Sequence, residues 1–154
     1  MFVVAGVTGK TGQVAAQELL ARKLPVRVIV RKPEQGEAWR RKGAEVAIAD
    51  LGDTGALVGA FRGAKGAYLL LPPNMGAQDF LAEKRAQADA ITAAISKSAL
   101  EHVVFLSSLG AELPSGSGVV RGLHYGENAL WGTGRAVTSI RAGYFLENWG
   151  AVLP

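Results

Sequence analysis

Met1-Phe-Val-Val-Ala-Gly6-Val-Thr-Gly9-Lys-Thr-Gly12-Gln-Val-Ala-Ala16 opens the chain and decides its fold. An apolar run of strand length breaks into glycines at every third position, and a helical pattern follows. A strand that ends in such a turn aims the free N–H groups and partial positive charge of the next helix at a nucleotide pyrophosphate. Gly6 permits the turn, Gly9 admits phosphate without an intervening Cβ, and Gly12 lets helix and strand approach closely. The letters Gly9-Lys10-Thr11 also suggest a P-loop. That motif requires a glycine five positions before the Gly of Gly-Lys-Thr, and Val4 stands there. The ATPase reading is therefore rejected.

Strands and helices alternate along the rest of the chain. Residues 1–5 are predicted as a strand and 11–22 as a helix with Val14, Leu19 and Leu20 toward the sheet. A second strand spans 25–30. Pro33 suits a first helical turn, so a helix is expected over 33–42, ended by Gly43. Residues 44–49 read as strand three. Asp53 or Thr54 caps a short helix over 54–62, and 66–71 form strand four, stopped by Pro72-Pro73. Residues 77–98 give the longest helix, with Phe80, Leu81, Ala88, Ile91 and Ile95 at helical spacing as core contacts. Strand five (102–107), a Gly/Ser/Pro loop (109–121), a helix (122–132) and strand six (136–141) complete the pattern. Val, Ile and Leu runs without strict alternation indicate parallel strands buried on both faces. The expected architecture is a three-layer α/β Rossmann-like fold. Its doubly wound parallel sheet has right-handed crossovers and strand order 3-2-1-4-5-6, in one NAD(P)-binding domain over 1–154.

Composition narrows the function classes. The chain has 154 residues, 49% hydrophobic and 19% charged, so it can bury a core. With no cysteine there is no disulfide or thiolate chemistry, and the two histidines, His102 and His124, are too isolated for a histidine metal centre, so no metal site is expected. No apolar run reaches the roughly 18 residues of a membrane span. The N-terminus begins directly with a strand, so no signal peptide and a cytoplasmic location are expected. The net charge of +4 is scattered rather than gathered in a stripe, which argues against nucleic acid and suits a polyanionic cofactor.

The end of strand two distinguishes between cofactors. In this fold an acidic residue there holds the ribose hydroxyls of NAD, but this strand ends Val30-Arg31-Lys32. A carboxylate would repel a 2′-phosphate, whereas an arginine binds one with charge-assisted hydrogen bonds. NADP(H) is therefore expected over NAD(H), with Lys10 as a second positive contact. Asp50 and Leu51 follow strand three, where adenine would lie. Leu51 packs on its face, and Asp50 is either an acceptor for the adenine amine or a turn residue.

Taken in order, Gly6-x-x-Gly9-x-x-Gly12, Val30-Arg31, Asp50-Leu51, Leu71-Pro72-Pro73, Phe105-Leu106-Ser107-Ser108 and Arg141-Ala142-Gly143-Tyr144-Phe145-x-Glu147-Asn148 resemble the NmrA-like atypical short-chain dehydrogenases. Within that group the chain is most similar to NADPH-dependent quinone oxidoreductase-like members. The resemblance implies that Gly6, Thr8, Gly9, Lys10, Thr11 and Gly12 bind pyrophosphate. It implies Arg31 for the 2′-phosphate, and Asp50 and Leu51 for adenine. Leu71 and Pro72 would border the ribose units, Ser107 would line the nicotinamide pocket, and Gly143, Tyr144 and Phe145 would close its far side.

The sequence departs from the wider short-chain dehydrogenase pattern in two ways. No tyrosine is followed four residues later by lysine: Pro72, Ala129 and Asn148 stand after Tyr68, Tyr125 and Tyr144. Carbonyl reduction through that dyad is not expected, and neither is sugar-nucleotide epimerisation, which depends on the same pair. His124, which shares a helix face with Glu127, and Tyr125 are the candidate proton donors; the alternative for His124 is simple packing near the helix start. The resemblance also implies a small substrate lobe after Glu147-Asn148, which the 154 residues do not include. Its absence would expose Leu123, Leu130, Trp131, Phe145 and Trp149, and such a patch favours self-association into a homo-oligomer.

Two functions follow. One is an oxidoreductase that passes hydride from NADPH to a small-molecule quinone or similar electrophile. The other is a non-catalytic NADP(H)-binding redox sensor acting through a protein partner.

Overall fold

The computed structural model describes residues 1–74 and 76–146. Six parallel strands form one sheet in the order β3-β2-β1-β4-β5-β6. They are β1 (Phe2–Val4), β2 (Val26–Val30), β3 (Glu45–Ile48), β4 (Gly66–Leu70), β5 (His102–Ser108) and β6 (Ala136–Ala142). Five α-helices connect them: α1 (Lys10–Ala21), α2 (Glu37–Arg41), α3 (Thr54–Phe61), α4 (Phe80–Ser96) and α5 (Arg121–Trp131). A 3-10 turn, Pro33–Gly36, precedes α2, and another, Gly118–Val120, leads into α5. The expected fold and strand order are the ones observed.

Alternate residues feed two cores. Val4, Val26, Val28 and Val30 point to one face, where Ala16 of α1 and Trp39 of α2 cover them. Val3, Ala5, Ile29, Ala67, Leu69, Val103 and Phe105 point to the other, against Leu57 and Phe61 of α3, Ala88, Ile91 and Ile95 of α4, and Leu130 of α5. Each fully buried large side chain contributes on the order of 1.5–3 kcal/mol by leaving water.

Three expectations need correcting. Val14 is 57% exposed, because α1 turns Gly12 and Ala16 to the sheet. Leu130 is buried, because α5 packs it on β5 and α4 while neighbouring Trp131 faces outward. Burial on both faces holds for β1 and β2 but not for β6. There Ala136, Thr138 and Ile140 are exposed, because α1 and α2 cover only the β1–β3 half of their face among the described residues. Trp149 and the Glu147-Asn148 pair lie outside the described residues. No helix of the described residues is long and apolar enough to cross a membrane.

Candidate cofactor cleft

The cleft lies where the strand order reverses, at the carboxyl ends of β1 and β4, the place where doubly wound sheets bind ligands. Gly6 makes the turn in the left-handed region, with φ +70°, and the Gly9 N–H donates to its carbonyl at 3.0 Å. A Cβ on Gly12 would stand 2.5 Å from the backbone of Ala5 and Gly6, so only glycine lets α1 start this close to β1. Gly9 faces open space except for one ordinary contact, as a phosphate cradle requires.

Side chains cap α3 and α4 but not α1, α2 or α5, and what sets α1 apart is that its start borders the cleft. Asp53 caps α3 by accepting from the Ala56 N–H at 3.0 Å, and Asp79 caps α4 by accepting from Ala82 at 2.9 Å. The N-cap of α1 is Gly9, and no side chain caps it. The first-turn N–H groups and the positive end of the helix therefore face the cleft, an arrangement built for an anion.

Two lobes share Gly6, Thr8, Leu70 and Pro72. One, a narrow cleft of about 100 Å³, is walled by Ile29, Val30, Arg31, Gln35, Asp50, Leu51 and Gln87. The other, about 380 Å³, is walled by Gly9, Thr11, Leu71, Pro73, Leu106, Ser107, Ser108, Leu123 and Phe145. The second falls within the range of small-molecule sites, and the first is below it. Arg31 lies at the end of the first lobe with an exposed side chain. Asp50 also makes a turn, accepting from the Gly52 N–H at 2.8 Å, so both of its expected roles are compatible with its position. Lys10 is the exposed first residue of α1. Gly143 and the exposed Tyr144 do not line either lobe, whereas Phe145 does.

His124 and Tyr125 are not brought to the cleft. His124 Nδ1 lies 2.7 Å from the Ala111 carbonyl, which can only accept, so Nδ1 carries the proton. Its Nε2 is then the acceptor for the Asn128 amide at 3.2 Å. Tyr125 donates its hydroxyl to Asp89 on α4 at 2.7 Å. That hydrogen bond, followed by burial and the Asp89 charge, raises the Tyr125 pKa despite the opposing Arg85 charge.

Beneath the second lobe lies an ion pair that the sequence reading did not foresee. Glu127 is buried and takes two hydrogen bonds from Arg141 of β6. Ser107, 4% exposed, sits beside that carboxylate, near enough to favour its ionised form but outside hydrogen-bond geometry. Lys84 is also buried, with its ammonium donated to the Pro72 carbonyl beneath the cleft wall. Pairs that depend on tertiary contact leave no spacing signal in the sequence.

The comparisons with known proteins agree with this geometry. The model of the NAD(P)H-binding family matches residues 6–141. A (4-alkanoyl-5-oxo-2,5-dihydrofuran-3-yl)methyl phosphate reductase of Streptomyces griseus is 30% identical over 149 residues, covering 96% of this chain and 49% of that protein. An NAD(P)H azoreductase of Xenophilus azovorans is 24% identical, with 96% and 49% covered. The chain thus spans about half the length of the curated relatives it matches. Among solved structures, the NADPH-dependent quinone oxidoreductase of Escherichia coli in complex with NADPH superposes with a TM-score of 0.84 at 27% identity, covering 98% of this chain and 52% of that one. These relatives accord with the NmrA-like resemblance carried by the motifs. The chain belongs to the NAD(P)H-binding family.

Proposed function

We propose that this chain is the cofactor-binding part of an NADPH-dependent oxidoreductase that delivers hydride to a quinone or a similar electrophile. The carrying observation is the make-up of the second lobe. Its described lining is apolar apart from Thr8, Thr11, Ser107, Ser108 and backbone, and it contains no titratable side chain. An acceptor reduced there needs no strong protein acid, which suits electrophilic π-systems and not simple ketones.

The residues present fit the cofactor. The uncapped start of α1 and the Gly12 contact that a Cβ would fill give a pyrophosphate seat, with Thr8 and Thr11 beside it. Arg31 would take the 2′-phosphate, Asp50 and Leu51 the adenine, and Leu71 and Pro72 the ribose borders. Bound NADPH would supply hydride from its nicotinamide ring. Ser107 would orient that ring's neighbourhood with its buried hydroxyl, and Leu106, Leu123 and Phe145 would exclude water. His124 and Tyr125, held to Ala111, Asn128 and Asp89, act in this reading by fixing α5 and not by giving up protons.

The relatives support the reading by their names: a reductase, an NAD(P)H azoreductase and an NADPH-dependent quinone oxidoreductase. The second reading, a redox sensor, is favoured by the same missing acid in the lobe. A side-by-side titration with NADPH and NADH, followed by NADPH oxidation with a benzoquinone, separates the two. NADPH binding with quinone-dependent oxidation supports the enzyme. Binding of NADPH and NADP⁺ alike without turnover supports the sensor. No binding of either nucleotide overturns both.

A further inference from the structure

We infer that Gln35 is a second specificity-determining residue for the 2′-phosphate, acting beside Arg31. The inference rests on the NADP(H) reading of the cleft.

Gln35 closes the 3-10 turn that follows β2. Its Oε1 accepts from two consecutive backbone N–H groups, Arg31 at 3.2 Å and Lys32 at 3.1 Å. Two donors fix which end of the amide points at them: a nitrogen there would set donor against donor. The other end, Nε2, is therefore an N–H₂ group. Among the described residues it has no acceptor partner, and Gln35 lines the same lobe as Arg31 and Asp50.

The turn that carries Gln35 is itself pinned. A Cβ on Gly36 would stand 2.5 Å from Val46 of β3, so the turn lies flush on the sheet edge. The backbone of Arg31 is thus held by Gln35, and Gln35 is held by the seating of Gly36. Arg31 and Gln35 thus line one lobe with two donors, a guanidinium and an amide, which together make a fork for a 2′-phosphate. Glu34 is exposed and does not line this lobe; the carboxylate that does is Asp50, one oxygen of which accepts from the Gly52 N–H at 2.8 Å.

The fork separates two jobs that one substitution can split. In Gln35→Glu, a carboxylate oxygen still accepts from Arg31 and Lys32, so the turn is kept. The N–H₂ donor is replaced by an anionic oxygen, which repels a phosphate but accepts from a ribose hydroxyl. A purely structural glutamine would lose neither job in this variant.

The test is the dissociation constant of the wild type and of Gln35→Glu for NADPH and for NADH, read by nucleotide fluorescence with thermal melting alongside. We expect NADPH to weaken by about tenfold or more, the loss of one charge-assisted hydrogen bond. NADH should stay within about twofold or tighten, and the melting temperature should hold. A Gln35→Glu protein that keeps the wild-type NADPH preference overturns the proposal while leaving Arg31 in place. A wild type without NADPH preference overturns the 2′-phosphate reading itself, and the proposal with it. Gln35→Met, which removes the donor without adding a charge, completes the test: selective loss of NADPH supports the fork, and equal loss of both nucleotides, or loss of neither, refutes it.

Discussion

Arg141 holds Glu127 with two prongs of its guanidinium, Nε to Oε1 at 3.0 Å and Nη2 to Oε2 at 2.6 Å. The carboxylate is 1% exposed and the guanidinium side chain 32% exposed, with Nη1 3.6 Å from Glu112. The pair ties the middle of α5 to the end of β6, under the wall that presents Ser107. Removing one member of a buried pair strands the other. Arg141→Ala leaves a buried carboxylate without its partner and should lower stability, by less than for a fully buried pair because the arginine is partly solvated. Urea denaturation measures it, and an unchanged midpoint would mean that water reaches Glu127 in solution.

The same pair sets an acid limit on stability. Burial alone would push the Glu127 carboxyl up. The Arg141 hydrogen bonds, the Ser107 hydroxyl and the charges of Arg141 and His124 outweigh it and hold the group below its ordinary 4.5. A lowered native pKa means that the stabilisation is complete above the unfolded value and is lost as pH falls through the native one. Melting temperature should therefore decline on acidification below pH 4.5. In Arg141→Ala the lone buried carboxyl is pushed up instead, so its gap from wild type should narrow between neutral pH and the carboxylate range. A constant gap across that range would remove Glu127 from the account.

Glycines at the turn and on the surface should separate cleanly. Gly12→Ala sets a methyl 2.5 Å from immovable backbone, whereas Gly43, with φ +86°, has nothing within 4 Å of its missing Cβ. Gly43→Ala should cost roughly 1–2 kcal/mol from left-handed strain alone and keep NADPH binding. Gly12→Ala should cost more and abolish binding, because α1 must move away from the turn it seats. Equal binding by both variants would detach the glycine turn from the cofactor.

How far the sequence is legible depends on the range of the interaction. The Gly6, Gly9 and Gly12 turn, the strands and their order come from contacts local to each βα unit, so spacing reveals them. Val14 misleads because the helix face is chosen by the small residues Gly12 and Ala16, which let the backbone in, and not by the larger apolar ones. Leu130 and Trp131 are adjacent and equally apolar, and only the packing of α5 says which one enters the core. Tyr125 and Asp89 stand 36 residues apart, and Arg141 and Glu127 stand 14 apart, distances at which no periodicity operates. Gln35 was within reach, since a glutamine two residues beyond Pro33 can turn back on the preceding N–H groups.

Arg31 should determine the choice between nucleotides. Its side chain is exposed at the end of the first lobe, with the Gln35 amide beside its backbone. Arg31→Asp replaces a phosphate-binding cation with the acid that NAD-binding folds use for ribose hydroxyls. NADPH affinity should fall at least tenfold, and NADH affinity should be kept or improved. Equal loss for both nucleotides in a paired titration would refute the 2′-phosphate role, and no loss of either would assign Arg31 to the surface alone.

His124 is the sharpest test of where protons are handled. With Nδ1–H given to Ala111 and Nε2 accepting from Asn128, the ring as hydrogen-bonded here offers no proton to a substrate in the second lobe. Its work is to join the 109–113 loop to α5, one wall of which is Leu123. His124→Ala should therefore lower stability by about 1 kcal/mol, the worth of a typical buried hydrogen bond, and leave NADPH affinity unchanged. His124→Asn should restore part of the stability, since an amide can still donate toward Ala111. Turnover with a quinone, measured at saturation across pH 5–8, should keep its shape in both variants. A histidine acting as general acid would instead remove a limb of that profile in both variants, and the asparagine would rescue stability without rescuing rate.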